Sequence, residues 1–438
     1  MRYSLLGLLS LSLLLRGAPP ALAQAWQMPN TDLGSRVAKP QGPAVPTPGA
    51  LMQQQQEQIR QQNQALQDQA EQLAGYQRQG QQDIEDAQQE FASRELVRQQ
   101  AYAANKQLYE TGFLQLKGML DGSIRYDLKR AVFLTENMFM NGQYDYGKFK
   151  EEIANLVQLC RGLAADSAQP NPAARFLALH RLMTDTVRVQ YAGQVVSAHQ
   201  PFTYDFEDFR GQEDWTKMFV TKLLATNTGQ CNSMPLLYKL VADELGVKTY
   251  ISMAPNHTYI QVQDNRGQLH SYETTNGHFT TFSYYMSTGY VKAPALKQRT
   301  YLDTLTRNEL LACRLFDLAS GYTLRHGSDA FVDKCVALGL RYYPHSVQGR
   351  MIMHNAALTT FLKAWVAAGK PPKEQAPQLP ALKPLWAGVE KWRRAVNELG
   401  HEEMPPEKYA AWLRGVDAEK NRVGNLKAAR QFEQTARK

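Results

Sequence analysis

The chain has 438 residues, 43% hydrophobic and 10% aromatic, with a formal net charge of +8. That length and apolar share exclude a wholly disordered protein and allow two or three domains, each with its own core. Its Lys and Arg residues form no dense block or stripe, which argues against a nucleic-acid partner and leaves only weak attraction to acidic polymers or membranes.

Residues 1–25 read as a signal peptide. Arg2 supplies a positive start, and residues 4–15 (SLLGLLSLSLLL) form an apolar run too short to span a bilayer comfortably. Ala21-Leu22-Ala23 or Ala23-Gln24-Ala25 then offers a small-x-small cleavage site. No cysteine follows the run to take a lipid, and no other stretch approaches 18 uninterrupted apolar residues. The expectation is an exported chain, periplasmic or secreted, with no transmembrane span once mature.

Residues 26–50 carry five prolines and few large apolar groups, the composition of a linker. Over 51–110 glutamine dominates. Met52, Ile59, Leu66 and Leu73 recur every seven residues, but their companion positions are Gln56, Asn63 and Ala70. That is half a coiled-coil seam, so a solvated helical arm or spacer is predicted, with partner binding as its alternative role.

Residues 111–199 read as helices packing on a core. Leu114, Leu116, Met119 and Leu120 precede a turn at Asp121-Gly122; Leu128, Ala131, Val132 and Leu134 follow, then Phe149, Ile153, Leu156, Val157 and Cys160. A further helix is predicted over 174–191. At about 200 the texture changes, and an α+β core is predicted over 200–300. An aromatic loop (Phe202, Tyr204, Phe206, Phe209) leads to a helix at 214–224, then to the segment around Cys231, then to β-type runs at 247–254, 257–263 and 268–275. Over 301–367, helices at 308–322 and 328–342 resemble a tetratricopeptide unit, with Leu318-Ala319, Tyr322 and Pro344 as landmarks and 347–367 opening the next. Residues 368–438 hold several prolines and short polar helices, the tail of the chain.

The chemistry concentrates in 227–275. Asn227 and Thr228 are placed to cap a helix whose apolar face is Met234, Leu237, Leu240, Val241 and Leu245, ending at Gly246. Cys231 then lies in the first turn, where unpaired N–H groups and the helix dipole favour a thiolate. Gly229 would let a substrate approach the backbone, and the N–H groups near Gln230 and Cys231 would face a developing oxyanion. Alternation along the strands places His257, Tyr259 and Gln261 on one face. Asp264-Asn265-Arg266-Gly267 suits a three-residue hairpin loop with a glycine bulge, which pairs Asp264 with Gln268 and sets Glu273 diagonally beside His257. A two-residue loop would turn Glu273 to the other face.

This segment resembles the transglutaminase-like superfamily of papain-like thiol enzymes. Gly229-Gln230-Cys231 opens a helix, Pro255-Asn256-His257-Thr258-Tyr259 starts a strand, and Tyr272-Glu273-Thr274-Thr275-Asn276-Gly277 ends the next; the spacings are 26 and 16 residues. The departure is Glu273 where the family more usually has Asp. The trailing helices resemble a bacterial subgroup in which such a domain precedes tetratricopeptide units. The resemblance implies a papain-like fold with Cys231 as nucleophile, His257 as base and Glu273 as the acid orienting it. It also implies backbone support at Gln230 and Cys231, no metal or cofactor, and an amide substrate in protein or cell wall attacked through an acyl-thioester.

Three readings follow: an exported amidase, protease or transamidase; an inactive domain of this type acting as a scaffold through its arm and repeats; and a structural envelope protein with an incidental thiol. Four cysteines (Cys160, Cys231, Cys313, Cys335) leave an odd number if one is the nucleophile. Cys313 and Cys335, on adjacent predicted helices, either pair or remain buried thiols.

Overall fold

The computed structural model describes residues 102–165, 172–191, 194–372, 374–405, 407–411, 413–416 and 418–422, with ten single positions between 57 and 100. The predicted signal peptide and proline-rich linker lie outside the described residues, as does most of the glutamine-rich arm. Contacts divide the chain into residues 1–90 and 91–438. The described positions of the first unit are helical and exposed. The second is a mixed α and β fold.

Helix α1 (102–121) buries Tyr109, Phe113, Leu116 and Leu120, spaced for one helical face. Leu114, predicted to share that stripe, lies 60% exposed on the other side. Gly122, at φ 83°, turns the chain where Asp121-Gly122 signals it. Asp127 then caps α2 (Leu128–Phe139) by accepting the Arg130 N–H at 2.9 Å. Helix α3 (Tyr146–Ala165) buries the predicted Phe149, Ile153, Leu156, Val157 and Cys160.

Helix α4 (Pro172–Thr184) is shorter than the predicted 174–191. Val187–Tyr191 is instead strand β1, an antiparallel hairpin with β2 (Gln194–His199). Val187 and Val189 alternate with Arg188 and Gln190, which favours a pleated strand. Val187 fits both periods, and that coincidence lengthened the helical reading.

The next segment builds the floor of the site. Strand β3 (Thr203–Tyr204) runs parallel to β4 (Thr228–Gly229), and α5 (Val220–Thr226) lies between them in the chain, preceded by a 3₁₀ turn at Trp215–Met218. The predicted helix at 214–224 is thus two elements. Helix α6 (Ser233–Leu245) is apolar on most sides and packs against α3, α4 and α5, ending at Gly246 with φ 70°.

Strands β5 (Thr249–Ala254), β6 (His257–Gln263), β7 (Leu269–Glu273) and β8 (His278–Thr280) form an antiparallel sheet in that order. Ile251, Ile260, Val262 and Tyr272 join the main core with α6. On the opposite face Tyr259 packs with Tyr285, Ala295, Tyr301 and Leu302, from α7 (Phe282–Thr288), α8 (Ala293–Lys297) and the segment after them. The β6–β7 register is Ile260 to Tyr272 and Gln261 to Ser271. It follows from the loop: the Asp264 N–H donates to Gln268 at 2.9 Å, and Gly267 sits at φ 80°.

Three long helices follow close to their predicted spans: α9 (Arg307–His326), α10 (Ala330–Tyr342) and α11 (Val347–Ala367). Thr306 and Glu309 form a capping box at α9, and Asp329 caps α10. One apolar core runs from Tyr109 to Tyr343, through segments the sequence divides at 200 and 301. A smaller cluster joins α11 to α12 (Lys383–Glu398), with Phe361 against Trp386. Cys313 and Cys335 are buried and unbonded. Among the described residues no helix is long and apolar enough to cross a membrane.

The α9–α10–α11 contact depends on two missing side chains. A Cβ at Gly339 would sit 2.4 Å from Phe316 Cε1, and one at Gly349 would sit 2.7 Å from it. Phe316 is fully buried and has no space to retreat. Gly339→Ala is expected to destabilise the protein by about 2 kcal/mol through overpacking. Gly162→Ala, in open space within α3, should instead stabilise by about 0.5–1 kcal/mol through helix propensity. Urea denaturation of both variants measures the contrast.

Candidate active site

Cys231 stands at the head of α6, by a route that differs from the predicted one. Asn227 ends α5 in a left-handed conformation (φ 54°), and Thr228 pairs in β4, so neither caps α6. The first helical bond runs from the Met234 N–H to the Gln230 carbonyl at 3.0 Å. The Ser233 hydroxyl in turn accepts the Gln230 N–H at 3.0 Å. Cys231 thus lies two residues before Ser233, just ahead of the N-cap Asn232 and not in the first turn as predicted, in a turn at the positive end of the helix dipole. Its own N–H has no partner among the described residues, whereas the Gln230 N–H is occupied. Of the two backbone positions predicted to hold an oxyanion, only Cys231 has an N–H to offer.

Gly229 also has a different use from the predicted one. It is buried, and a Cβ there would lie 2.8 Å from both Leu223 Cδ1 and Ser233 Oγ. Its lack of a side chain lets α5 close onto α6 and gives no substrate access.

The β-ribbon brings an imidazole and a carboxylate to the sulfur. His257, the first residue of β6, meets Glu273, the last of β7, with Nε2 at 2.8 and 2.9 Å from the two carboxylate oxygens. The other ring nitrogen, Nδ1, is left for Cys231, whose side chain lies within electrostatic reach of the ring. The thiol also approaches the Asn256 carbonyl at 3.8 Å, on the turn that leads into β6.

Glu273 is held on several sides. Its side chain is only 7% exposed. Besides His257, it accepts the Tyr285 hydroxyl at 2.6 Å and the Thr275 hydroxyl at 3.3 Å. Burial opposes its charge, but the facing imidazole and these donors outweigh burial and hold the carboxyl below its usual range. Tyr285 is itself fixed by stacking on Tyr259, ring centroids 3.9 Å apart. The extra methylene of a glutamate, relative to aspartate, is thus anchored by a tyrosine. Burial also opposes the charge on His257, yet the Glu273 carboxylate and the adjoining Cys231 raise it to about 10. At neutral pH the ring is an imidazolium between two acidic groups.

Tyr204 completes the cluster and was missed in the sequence. It lies within electrostatic reach of Cys231. Burial first, and the neighbouring Cys231 second, keep it protonated above the ordinary tyrosine range, so it acts as a donor. The β3–β4 pairing holds it there, and Lys222 reinforces that pairing by reaching Asp205 Oδ2 at 2.7 Å and the Thr228 carbonyl at 2.9 Å. Its only sequence signal is its place among the aromatics of 202–209, which says nothing of a contact some 27 residues along the chain.

The neighbouring polar residues make their bonds elsewhere. His270 bonds Asp264 at 3.0 Å on the hairpin loop, and His278 pairs with Glu273 across the backbone ladder of β7 and β8. Asn232 donates to the Met218 carbonyl at 3.1 Å and ties α6 to the 3₁₀ turn. No family model, curated protein or solved structure matches this chain.

Proposed function

We propose that the chain is a cysteine enzyme of the transglutaminase-like, papain-like type, exported from the cytoplasm, that attacks an amide of protein or cell wall. The observation that supports this most is the His257–Glu273 pair, bonded at 2.8 and 2.9 Å, with Cys231 within electrostatic reach of the ring. A helix head beside a four-stranded antiparallel sheet supports the papain-like part of the reading.

In this reading His257 already holds the proton as an imidazolium, and the Cys231 sulfur attacks the amide carbonyl carbon as the thiolate. The carbonyl π electrons move to oxygen, and the oxyanion meets the Cys231 N–H, with the Tyr204 hydroxyl as a second donor beside the sulfur. Collapse re-forms the carbonyl and breaks the C–N bond, while His257 returns its proton to the departing amine. A thioester remains on Cys231. Water or an amine then attacks it with the now neutral His257 as base, which releases the acid or the new amide and restores the sulfur–imidazolium pair. Glu273 stays ionised throughout, fixes the tautomer and steadies the imidazolium.

Iodoacetamide at pH 6 tests the reading. Cys231 should alkylate about tenfold or more faster than cysteine in a free peptide, where the thiol is almost fully protonated. Mass spectrometry should place the label on Cys231, and Cys231→Ala should remove it. Peptide-like rates would leave the scaffold or structural reading in its place.

A further inference from the structure

The register of the four-stranded sheet sets a row of polar side chains across one of its faces. Gln261 of β6 pairs with Ser271 of β7, and Ser271 pairs with Thr280 of β8. Paired residues point to the same face, and neighbouring strands lie about 4.8 Å apart. The amide and the two hydroxyls therefore form a line about 10 Å long. It lies on the face where Tyr259 packs with Tyr285, opposite the main core. A cavity of about 470 Å³ opens over this row, with Leu269, Leu302 and Phe282 as its apolar walls. Leu269 and Phe282 are 45% and 53% exposed. The volume and the mixture, apolar walls around a few placed polar groups, are those of a small-molecule site.

The chemistry of the row is specific. Gln261 is buried, and both of its amide hydrogens are used. Its Nε2 donates to Ser252 Oγ at 2.8 Å and to the Leu302 carbonyl at 3.0 Å. What it can offer a ligand is the amide oxygen, an acceptor held in one orientation by those two bonds. Ser271 and Thr280 carry hydroxyls, which both donate and accept. His270 also lines the cavity, but alternation along β7 turns its ring to the other face, where it bonds Asp264 at 3.0 Å. Among the described residues the lining holds no Asp, Glu, Lys or Arg, so an ion entering it would lose water and gain no counter-charge.

We propose that this cavity is a binding site for a neutral saccharide. A pyranose ring carries hydroxyls at its edge and C–H groups on its faces. The edge meets the Gln261–Ser271–Thr280 row, and a C–H face lies on Phe282 and Leu269. The row is long enough for two linked rings. An extended peptide fits less well, because it docks on a sheet through main-chain bonds along an edge strand, not through side chains that cross the strands. The site does not depend on the role of Cys231. It adjoins the other in one respect: Ser271 precedes Glu273 by two residues on the same face, about 7 Å along β7. A bound glycan would lie on the face that presents His257 and Glu273.

Saturation-transfer NMR on the full-length chain tests the site. The probes are N,N′-diacetylchitobiose and cellobiose at about 5 mM, enough to load a site of millimolar affinity. N-acetyl-trialanine amide and glucose 6-phosphate serve as the peptide and the charged control. Transfer to the ring protons of at least one disaccharide, and to neither control, is expected. Ser271→Ala/Thr280→Val should weaken that binding about tenfold or more, through two lost hydrogen bonds. Phe282→Ala, at an exposed position, should weaken it about fivefold through the lost ring face. Melting temperatures within about 2 °C of wild type identify folded variants. If the double variant unfolds, Phe282→Ala decides alone. The proposal is overturned by silence from both disaccharides, by binding of either control, or by unchanged affinity in a folded variant. Each of those results leaves the alkylation of Cys231 at pH 6 as it was, so the two readings fail separately.

Discussion

His257→Ala is expected to slow acyl transfer from p-nitrophenyl acetate to Cys231 by on the order of 1,000-fold, with the protein still folded. In the proposed mechanism the ring carries the proton that the sulfur gives up, and it is bonded to Glu273 at 2.8 and 2.9 Å. Glu273→Gln should cost on the order of 100-fold or more, because an amide facing Nε2 neither balances the imidazolium nor holds one tautomer. Tyr285→Phe should cost about threefold to tenfold, the effect of removing one donor from a carboxylate that keeps its other partners. The burst of p-nitrophenolate, read by stopped flow, gives all three rates. Equal bursts in wild type and His257→Ala would remove the base from the mechanism. Glu273→Asp would test whether the acid is matched to its surroundings. The shorter chain would leave the 2.6 Å bond from Tyr285 unmade, so a loss of activity is expected even though the pattern this segment resembles favours Asp.

The second large effect concerns stability and lies away from the sulfur. Glu136, on α2, is 4% exposed and accepts the N–H groups of Val220 at 2.7 Å and Thr221 at 2.9 Å. A carboxyl distant in sequence thus caps α5, in place of the local side chain that Phe219 cannot supply. Glu136→Ala should lower stability by about 3 kcal/mol at pH 5, from two orphaned donors and a cavity. Burial raises this carboxyl from 4.5 to about 7, against the lowering effect of its two backbone bonds. A raised folded pKa means that the contribution is complete below pH 4.5 and is lost as pH rises through about 7. His257 behaves alike in the next window, complete below pH 6.5 and lost as pH rises through about 10. Glu273, lowered, has the opposite sign and loses its contribution as pH falls below its ordinary 4.5. The melting temperature should therefore peak near pH 5 and decline in two stages. Glu136→Gln should flatten the first stage, and His257→Asn/Glu273→Gln the second. Calorimetry across pH 4–10 separates them, and a single unbroken decline in the variants would refute the assignment.

Much of the site can be read in the residue order because its parts are local. The hairpin loop Asp264–Gly267 fixes the β6–β7 register, and the register alone decides that Glu273 shares a face with His257. The apolar face from Met234 to Leu245 and the stop at Gly246 define α6, so Cys231 falls at its head even though the expected caps serve other elements. The readings at 187–191 and 227–229 differed because short strands are stabilised by partners elsewhere in the chain. Val187 pairs with His199, and Thr228 with Thr203, neither of which a local period records.

By itself the sequence determined the helix that carries the thiol, the ribbon that carries the imidazole and acid, and the three candidate residues, through turn chemistry and periodicity acting over a few positions. Only the tertiary structure decided which N–H at the helix head stays unpaired, that Tyr204 lies within electrostatic reach of Cys231, that Glu136 caps a helix 84 residues on, and that Tyr409 of the tail meets Arg210. Those outcomes depend on which distant surfaces bury one another. That choice is a sum of packing and desolvation over the whole core, and no short stretch of chain encodes it.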